Sequence, residues 1–287
     1  LDHPKPFSSS VYERGNNMTH PVTLKGASSA GIGTCITVTA PFRVVLDLGF
    51  VTPEAQSTQT VVLTHAHMDH MVGAAAHAAT RSLVGAKPTR FICSKVVAEA
   101  LEKVLKVWVG VQGPFEWTIE IVEPGGEISL QPSWVVKPVH TFHTMPSQGY
   151  VFFHVKKVLK PEFVGKSYEE LRALALAGAV MKNRVETPVL AYLGDTTPEA
   201  LGHRYVKACE MVVTECTFIG EHSVEKARAK GHTHVKELLP CLAALKAKRV
   251  VLMHFSQRHS LEEIHAAFTG TQPVELLLNV AGPIPEW

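Results

Sequence analysis

The run Thr64-His65-Ala66-His67-Met68-Asp69-His70 constrains this chain more than any other stretch of it. Four side chains of metal-ligating type, His65, His67, Asp69 and His70, fall within six consecutive positions. A packed core has little use for such a group, because imidazoles and a carboxylate would lose their hydration without gaining partners. The preceding Val61-Val62-Leu63 reads as a buried strand, and Asp69 suits the start of the alanine-rich helical stretch that follows. Functional side chains gather at such strand-to-helix turns. Two histidines one residue apart point the same way from an extended segment, and Asp69 and His70 on the turn can face a second ion. A polar loop with coincidental histidines is the competing reading, and it leaves the density of the pattern unexplained.

Four short side chains cannot fill the coordination of two ions, so other segments must contribute. Three places qualify among the sixteen histidines and the carboxylates: His140 and His143 after the strand-like Trp134–Val139, Asp195 after Val189–Leu193, and His254 after Arg249–Met253. Taken singly, each histidine there is as well explained by hydrogen bonding, and Asp195 by the N-cap of the next helix. Their shared position just past an apolar strand is what lets all of them converge on one sheet edge.

With 287 residues the chain has room for one large layered domain or two average ones. Its 46% apolar and 19% charged residues allow a sizeable core and argue against wholesale disorder. A net charge of +2 excludes a protein that holds nucleic acid by bulk electrostatics, though not one with a local basic patch. Cys35, Cys93, Cys209, Cys216 and Cys241 form no C-x-x-C pair and sit mostly in apolar runs, as free thiols of a reducing compartment would. No apolar stretch reaches the roughly eighteen residues of a membrane span. No leader-like segment opens the sequence, and Met18 leaves open whether residues 1–17 are native. The expected location is intracellular, with cytoplasm, nucleus and organelle not distinguished.

Residues 1–20, with Pro4, Pro6 and Ser8-Ser9-Ser10, are expected to form a flexible tail. Strand-like runs follow at Thr34–Thr39, Arg43–Leu48, Thr60–Thr64, Thr118–Val122, Trp134–Val139 and Tyr150–Val155. A second set lies at Pro188–Leu193, Met211–Thr214, Arg249–Met253 and Val274–Leu278. Helical patterns interleave at Met71–Ala79, Val96–Trp108, Tyr168–Leu176, Pro198–Cys209, Val235–Leu245 and Leu261–Phe268. In the second of these, Val97, Leu101, Val104, Leu105 and Trp108 share one face. Strands in both halves with helices between them predict an α/β fold in which two sheets pack together inside outer helices, an αββα four-layer sandwich. Residues 21–287 are expected to form one domain, with an insertion at about 155–187.

Several motifs together resemble the metallo-β-lactamase superfamily, and within it the tRNase Z family of tRNA 3′-processing endoribonucleases in its short plant-like form. They are Leu46-Asp47-Leu48-Gly49, the histidine-rich run, Thr141-Phe142-His143 with Ser147-Gln148-Gly149-Tyr150, Leu193-Gly194-Asp195-Thr196, Thr214-Glu215-Cys216-Thr217-Phe218, Gly231-His232-Thr233-His234 and Met253-His254-Phe255-Ser256. The resemblance implies an αββα sandwich of the metallo-β-lactamase type and two Zn2+ per chain, with Mn2+ or another divalent ion as substitute. It assigns His65, His67 and His143 to one ion, Asp69, His70 and His254 to the other, and Asp195 to both. It selects His143 over His140 because His143 stands six residues before Gly149. Asp47 resembles a buried aspartate that supports the metal loop.

Such a centre activates water and stabilises charge at a phosphoryl group. Asp69 is placed to ligate and to take the water's proton, and His232, paired with Glu215, is the best donor to the leaving 3′-oxygen. The expected partner is precursor tRNA, and homodimerisation is implied by the resemblance alone. Two departures stand out. The loop Gly26–Gly33 lacks the family's Pro-x-Lys-x-Arg-Asn pattern, and residues 155–187 lack its Gly-Pro arm while carrying Lys156, Lys157, Lys160, Lys166, Arg172, Lys182 and Arg184. They keep two alternatives open: a small-molecule hydrolase of phosphodiesterase, arylsulfatase or thioesterase type, and an inactive RNA-binding scaffold.

Overall fold

The computed structural model describes residues 20–221, 223–271 and 274–277. Most of the expected tail at 1–20, His222 and Leu278 lie outside them. A first sheet has six strands in sequential order: β1 Thr23–Ser29, β2 Gly33–Ala40, β3 Val44–Leu46, β4 Thr60–Val62, β5 Thr89–Cys93 and β6 Trp117–Ile121. A second has seven, β7 Ile128–Gln131, β8 Trp134–His140, β9 Gln148–Leu159, β10 Lys182–Tyr192, β11 Met211–Glu215, β12 Arg249–Met253 and β13 Val274–Leu276, again in sequential order.

Strand alternation sorts the apolar residues into three cores. Val44, Leu46, Val62, Ile92, Tyr192, Met211, Val213, Val251 and Met253 fill the space between the sheets. Their neighbours Val45, Val61 and Phe91 point the other way, onto the helices Ala74–Leu83 and Lys95–Gln112. Ala191, Val212, Val250 and Leu252 likewise meet Leu201, Val206, Leu238 and Ile264 on the opposite side. The period of two thus assigns successive residues to successive layers. Each fully buried aliphatic side chain contributes about 1.5–3 kcal/mol. The result is the expected αββα arrangement.

The differences are local and have physical reasons. β1 carries a glycine and mostly polar residues, β7 is a four-residue edge strand, and β5 is a short parallel strand covered on both faces, so none shows a clean alternation. The helix expected over Pro198–Cys209 divides into a 3-10 turn, Pro198–Gly202, and a helix, Arg204–Ala208. The stretch expected at Met71–Ala79 is a turn of helix at Met68–Met71 followed by Ala74–Leu83. On the helix Lys95–Gln112, Val97, Leu101 and Leu105 are buried, whereas Val104 and Trp108 are 36% and 44% exposed. The buried row follows the i+4 ridge toward Val109 and winds away from those two.

β9 and β10 pair far beyond the sheet, from Tyr150↔Tyr192 to Leu159↔Lys182. The residues between them hold a 3-10 turn, Pro161–Phe163, and the helix Tyr168–Leu176, which buries none of its side chains. Arg184, one of the basic residues of this segment, is ion-paired with Glu127 (2.8 Å) and Glu186 (2.7 Å).

His77 ties the first helix layer to its sheet. Its Nε2 meets the Ala55 carbonyl at 2.9 Å and its Nδ1 the Thr89 hydroxyl at 2.9 Å. Burial holds its pKa below the ordinary 6.5, helped by the charge of Arg81 and opposed by the bond to Ala55. The unfolded imidazole therefore binds a proton first as pH falls, so this contribution is complete above pH 6.5 and is lost below it. His77→Gln should lower stability by about 1–3 kcal/mol at pH 8. The gap to wild type should close toward pH 5, as read by thermal melts of both metal-free proteins.

Candidate metal centre

The chain leaves β4 still extended, with the Leu63 amide donating to the Ile92 carbonyl at 3.0 Å. His65 and His67 follow, and the turn Met68–Met71 then presents Asp69 and His70. This loop is clamped against the segment after β3: the Leu48 amide donates to the His70 carbonyl at 2.7 Å. Position 49 must be glycine for that approach, since a Cβ there would sit 2.0 Å from the Asp69 carbonyl oxygen. From the second sheet, Gly194, at φ 61 and pressed against Thr64, lets the chain turn and deliver Asp195.

All seven side chains expected as ligands come together. Ligand atoms of His65, His67, His143 and Asp195 lie within 4.8 Å of one another, as do those of Asp69, His70 and His254. Asp195 stands between the two groups, with Oδ1 3.3 Å from His70 Nε2 and Oδ2 3.7 Å from His65 Nε2 and 3.4 Å from His254 Nε2. His140 is exposed and takes no part in these groups. His234 caps the helix Val235–Leu242 through its Nδ1.

The outer nitrogens determine what the inner ones can do. His143 Nδ1 lies 2.9 Å from the Gly231 carbonyl and His70 Nδ1 2.7 Å from the Asp47 carboxylate, so each Nδ1 carries the hydrogen. The Thr64 hydroxyl donates to Asp47, and the His65 Nδ1–H donates to Thr64 at 2.9 Å. The Thr217 hydroxyl donates to Glu215, and the His254 Nδ1–H donates to Thr217 at 3.0 Å. Four imidazoles therefore turn Nε2 inward, where each neutral ring presents a lone pair. His70 and His254 place theirs 3.3 Å apart, and the buried Asp195 Oδ1 has no hydrogen-bond partner. Lone pairs and carboxylate oxygens crowded in this way need a cation between them, and the outer bonds are those that orient metal ligands. The donor set fits divalent metal.

The electrostatics of the cluster divide. For His70, burial is outweighed by Asp195 and Asp47, which hold it well above the usual imidazole range, with a proton that a bound metal would displace. Burial, reinforced by the charge of His70, pushes His65 well below the usual imidazole range, which leaves it neutral as a ligand must be. Burial likewise lowers His67. Asp195 is held well below the carboxylate range because His254, His70 and His65 outweigh its burial. For Asp69, burial is outweighed by His254, whose Nε2 lies 3.4 Å away, by His70 and by the Gly31 amide at 2.8 Å, so it stays ionised.

Beside this cluster, Glu215 is fully buried at the end of β11 and accepts from the amides of Thr196 and Thr217 (both 3.0 Å), the Thr217 hydroxyl and His232 Nδ1 (2.7 Å). His232 loses stability as a cation through burial, but Glu215 outweighs that and raises it to about 9. His232 also comes within 4.0 Å of Asp195, but through the same Nδ1 that binds Glu215. Ligand atoms of Asp195, His232 and His254 also lie within 4.8 Å of one another, and ligation through Nδ1 would break the pair with Glu215.

Two further side chains were not singled out in the sequence. Tyr192 donates to Asp47 Oδ2 at 2.6 Å, and Thr217 bridges Glu215, His232 and His254. Thr217 lies within the Thr214-Glu215-Cys216-Thr217-Phe218 motif, which is a signal of a kind. Tyr192 looks like any strand residue.

A family model described as a beta-lactamase superfamily domain matches residues 47–255. The chain is 31% identical over 255 residues to tRNase Z TRZ1 of Arabidopsis thaliana, covering 87% of this chain and 91% of that one. It is 32% identical over 250 residues to the chloroplastic tRNase Z TRZ2 of the same plant, covering 85% and 70%. Among solved structures, the short form of human tRNase Z (ELAC1) shares the fold with a TM-score of 0.61 at 16% identity, over 91% of this chain and 99% of that one. YhfI from Bacillus subtilis, a metallo-β-lactamase fold protein, does so with a TM-score of 0.64 at 11% identity, over 89% and 96%. This chain belongs to the tRNase Z family of the metallo-β-lactamase superfamily.

Proposed function

We propose that this chain is an endoribonuclease that removes 3′ trailers from precursor tRNA with two zinc ions, His65, His67 and His143 holding one, Asp69, His70 and His254 the other, and Asp195 both. The observation that carries the reading is the buried Glu215–His232 pair, 2.7 Å apart, beside the ligand cluster. A ligand cage alone serves any hydrolase of the superfamily, whereas an added proton donor suits a leaving group as poor as a ribose 3′-oxygen. Divalent ions bound there supply charge neutralisation at the phosphoryl group and make water acidic enough to attack at neutral pH.

The remaining roles belong to the protein. Asp69, ionised and steadied by the Gly31 amide, accepts the proton of the attacking water. His232, kept charged by Glu215, gives its proton to the departing 3′-oxygen. Residues 21–287 act as one unit in this reading, and the hairpin at 155–187, with its lysines, grips tRNA away from the cut. The four buried free thiols suit a reducing compartment, and two copies of the chain are proposed to act as a dimer. No helix among the described residues is long and apolar enough to cross a membrane.

Zinc-loaded protein should cut a 3′-extended precursor tRNA at one position near the acceptor end, and tRNA should inhibit its turnover of bis(p-nitrophenyl) phosphate at low salt. Diester turnover without either effect would favour the small-molecule reading. Asp69→Ala or Asp195→Ala should abolish turnover of both substrates and lower the metal content found by elemental analysis. His232→Ala should slow RNA cleavage about 10²- to 10⁴-fold while retaining both metals; loss of metal in this variant would make His232 a ligand and end the role given to it.

A further inference from the structure

Two clefts border the cluster, one against His232 and the other against His143, and they differ in chemistry. The first, about 500 Å3, is lined by Gly31, Phe218, Lys230, His232, Gln257 and Arg258. The second, about 610 Å3, lies against His143 and is lined by Phe142, Met145, Pro146 and Arg228. Lys230 and Arg258 form no ion pair among the described residues. The loop Gly26–Gly33 brings backbone but no basic side chain to this cleft, and nearby Lys25 is taken by Glu54 at 3.2 Å. Arg228 in the second cleft is neutralised twice, by Glu199 at 2.8 Å and by Glu237 at 2.5 Å. Phe142 there is 50% exposed.

Unpaired cations beside a hydrolytic centre recognise phosphate, and an exposed ring recognises a base by stacking. The direction of the strand follows from His232. The group that donates a proton to the 3′-oxygen must stand on the side of the ribose that keeps it, and His232 lines the first cleft. We propose that single-stranded RNA crosses the centre in one direction, its upstream part held by backbone phosphate in the Lys230–Arg258 cleft and its released downstream part held by base stacking on Phe142. This rests on the reading above, in which His232 faces the leaving oxygen.

Binding to strands that cannot be cut tests the inference apart from cleavage. One probe is a five-nucleotide oligoadenylate with a free 3′-hydroxyl and a blocked 5′ end; the other bears a 5′-phosphate and a blocked 3′ end. Dissociation constants on zinc-loaded protein are read by fluorescence anisotropy across a salt series, with metal content and melting temperature checked against wild type. Lys230→Ala should weaken the 3′-hydroxyl strand about tenfold at low salt and reduce its log–log salt slope by about 0.7, the value for one phosphate contact on a single strand. Phe142→Ala should weaken the 5′-phosphate strand about tenfold with its salt slope unchanged. The opposite pairing of variant and strand would overturn the direction, and no effect of either variant would overturn both subsites. Protein that cuts precursor tRNA yet shows no strand preference refutes the subsites alone. Protein that binds as described but cuts nothing refutes the processing reading and leaves the subsites standing.

Discussion

The carboxylate of Asp47 accepts four hydrogen bonds from groups that come from both sheets. The Thr64 amide meets Oδ1 at 2.7 Å, while the Thr64 hydroxyl, His70 Nδ1 and the Tyr192 hydroxyl share Oδ2 at 2.8, 2.7 and 2.6 Å. A buried anion with that many donors is stable where it stands, and any of those donors without it would be left unpaired. The arrangement fixes the start of the histidine loop and the tautomer of His70, and through Thr64 that of His65. It also joins the loop to a residue that arrives more than a hundred positions later in the chain, which makes the cage a property of the interface between sheets. Tyr150 adds a parallel link, its hydroxyl reaching the carbonyls of Leu63 at 2.7 Å and Ile92 at 3.2 Å.

Four of the five cage histidines follow one rule, in which the outer nitrogen finds a protein acceptor and the inner one faces the other candidate ligands. Gly231, Thr217, Thr64 and Asp47 serve four different histidines in this way. Thr217 carries the rule furthest, because the hydroxyl that orients His254 gives its own hydrogen to Glu215. One side chain therefore links His254 to the Glu215–His232 pair. A threonine suits the place because one hydroxyl oxygen can accept and donate at once, which neither a backbone carbonyl nor a backbone N–H can do.

Much of this was legible in the sequence because the ligands stand just past apolar strands, where a layered fold brings chain ends to one rim. His65, His67, Asp69 and His70 betray themselves by density alone. Asp195 and His254 needed the strands before them, and the choice of His143 over His140 came from the resemblance; spacing by itself left both open. The β1, β5 and β7 strands were illegible because their residues are polar, few, or buried on both faces, so no alternation marks them. Tyr192 was hidden for another reason. Its ring packs with the core between the sheets like any aromatic, and only the hydroxyl at its tip has a task that three-dimensional contact reveals.

The long β9–β10 hairpin has a consequence for how such a molecule can vary. β8 accompanies β9 only as far as His154, and β11 accompanies β10 only from Leu190 onward, so the outer part of the hairpin is a ribbon with no third strand beside it. Its length is thus mechanically independent of the cage, which is set by Asp47 and the loops at the opposite ends of those strands. Lineages can lengthen, shorten or recharge the ribbon while the cluster at the rim stays in register.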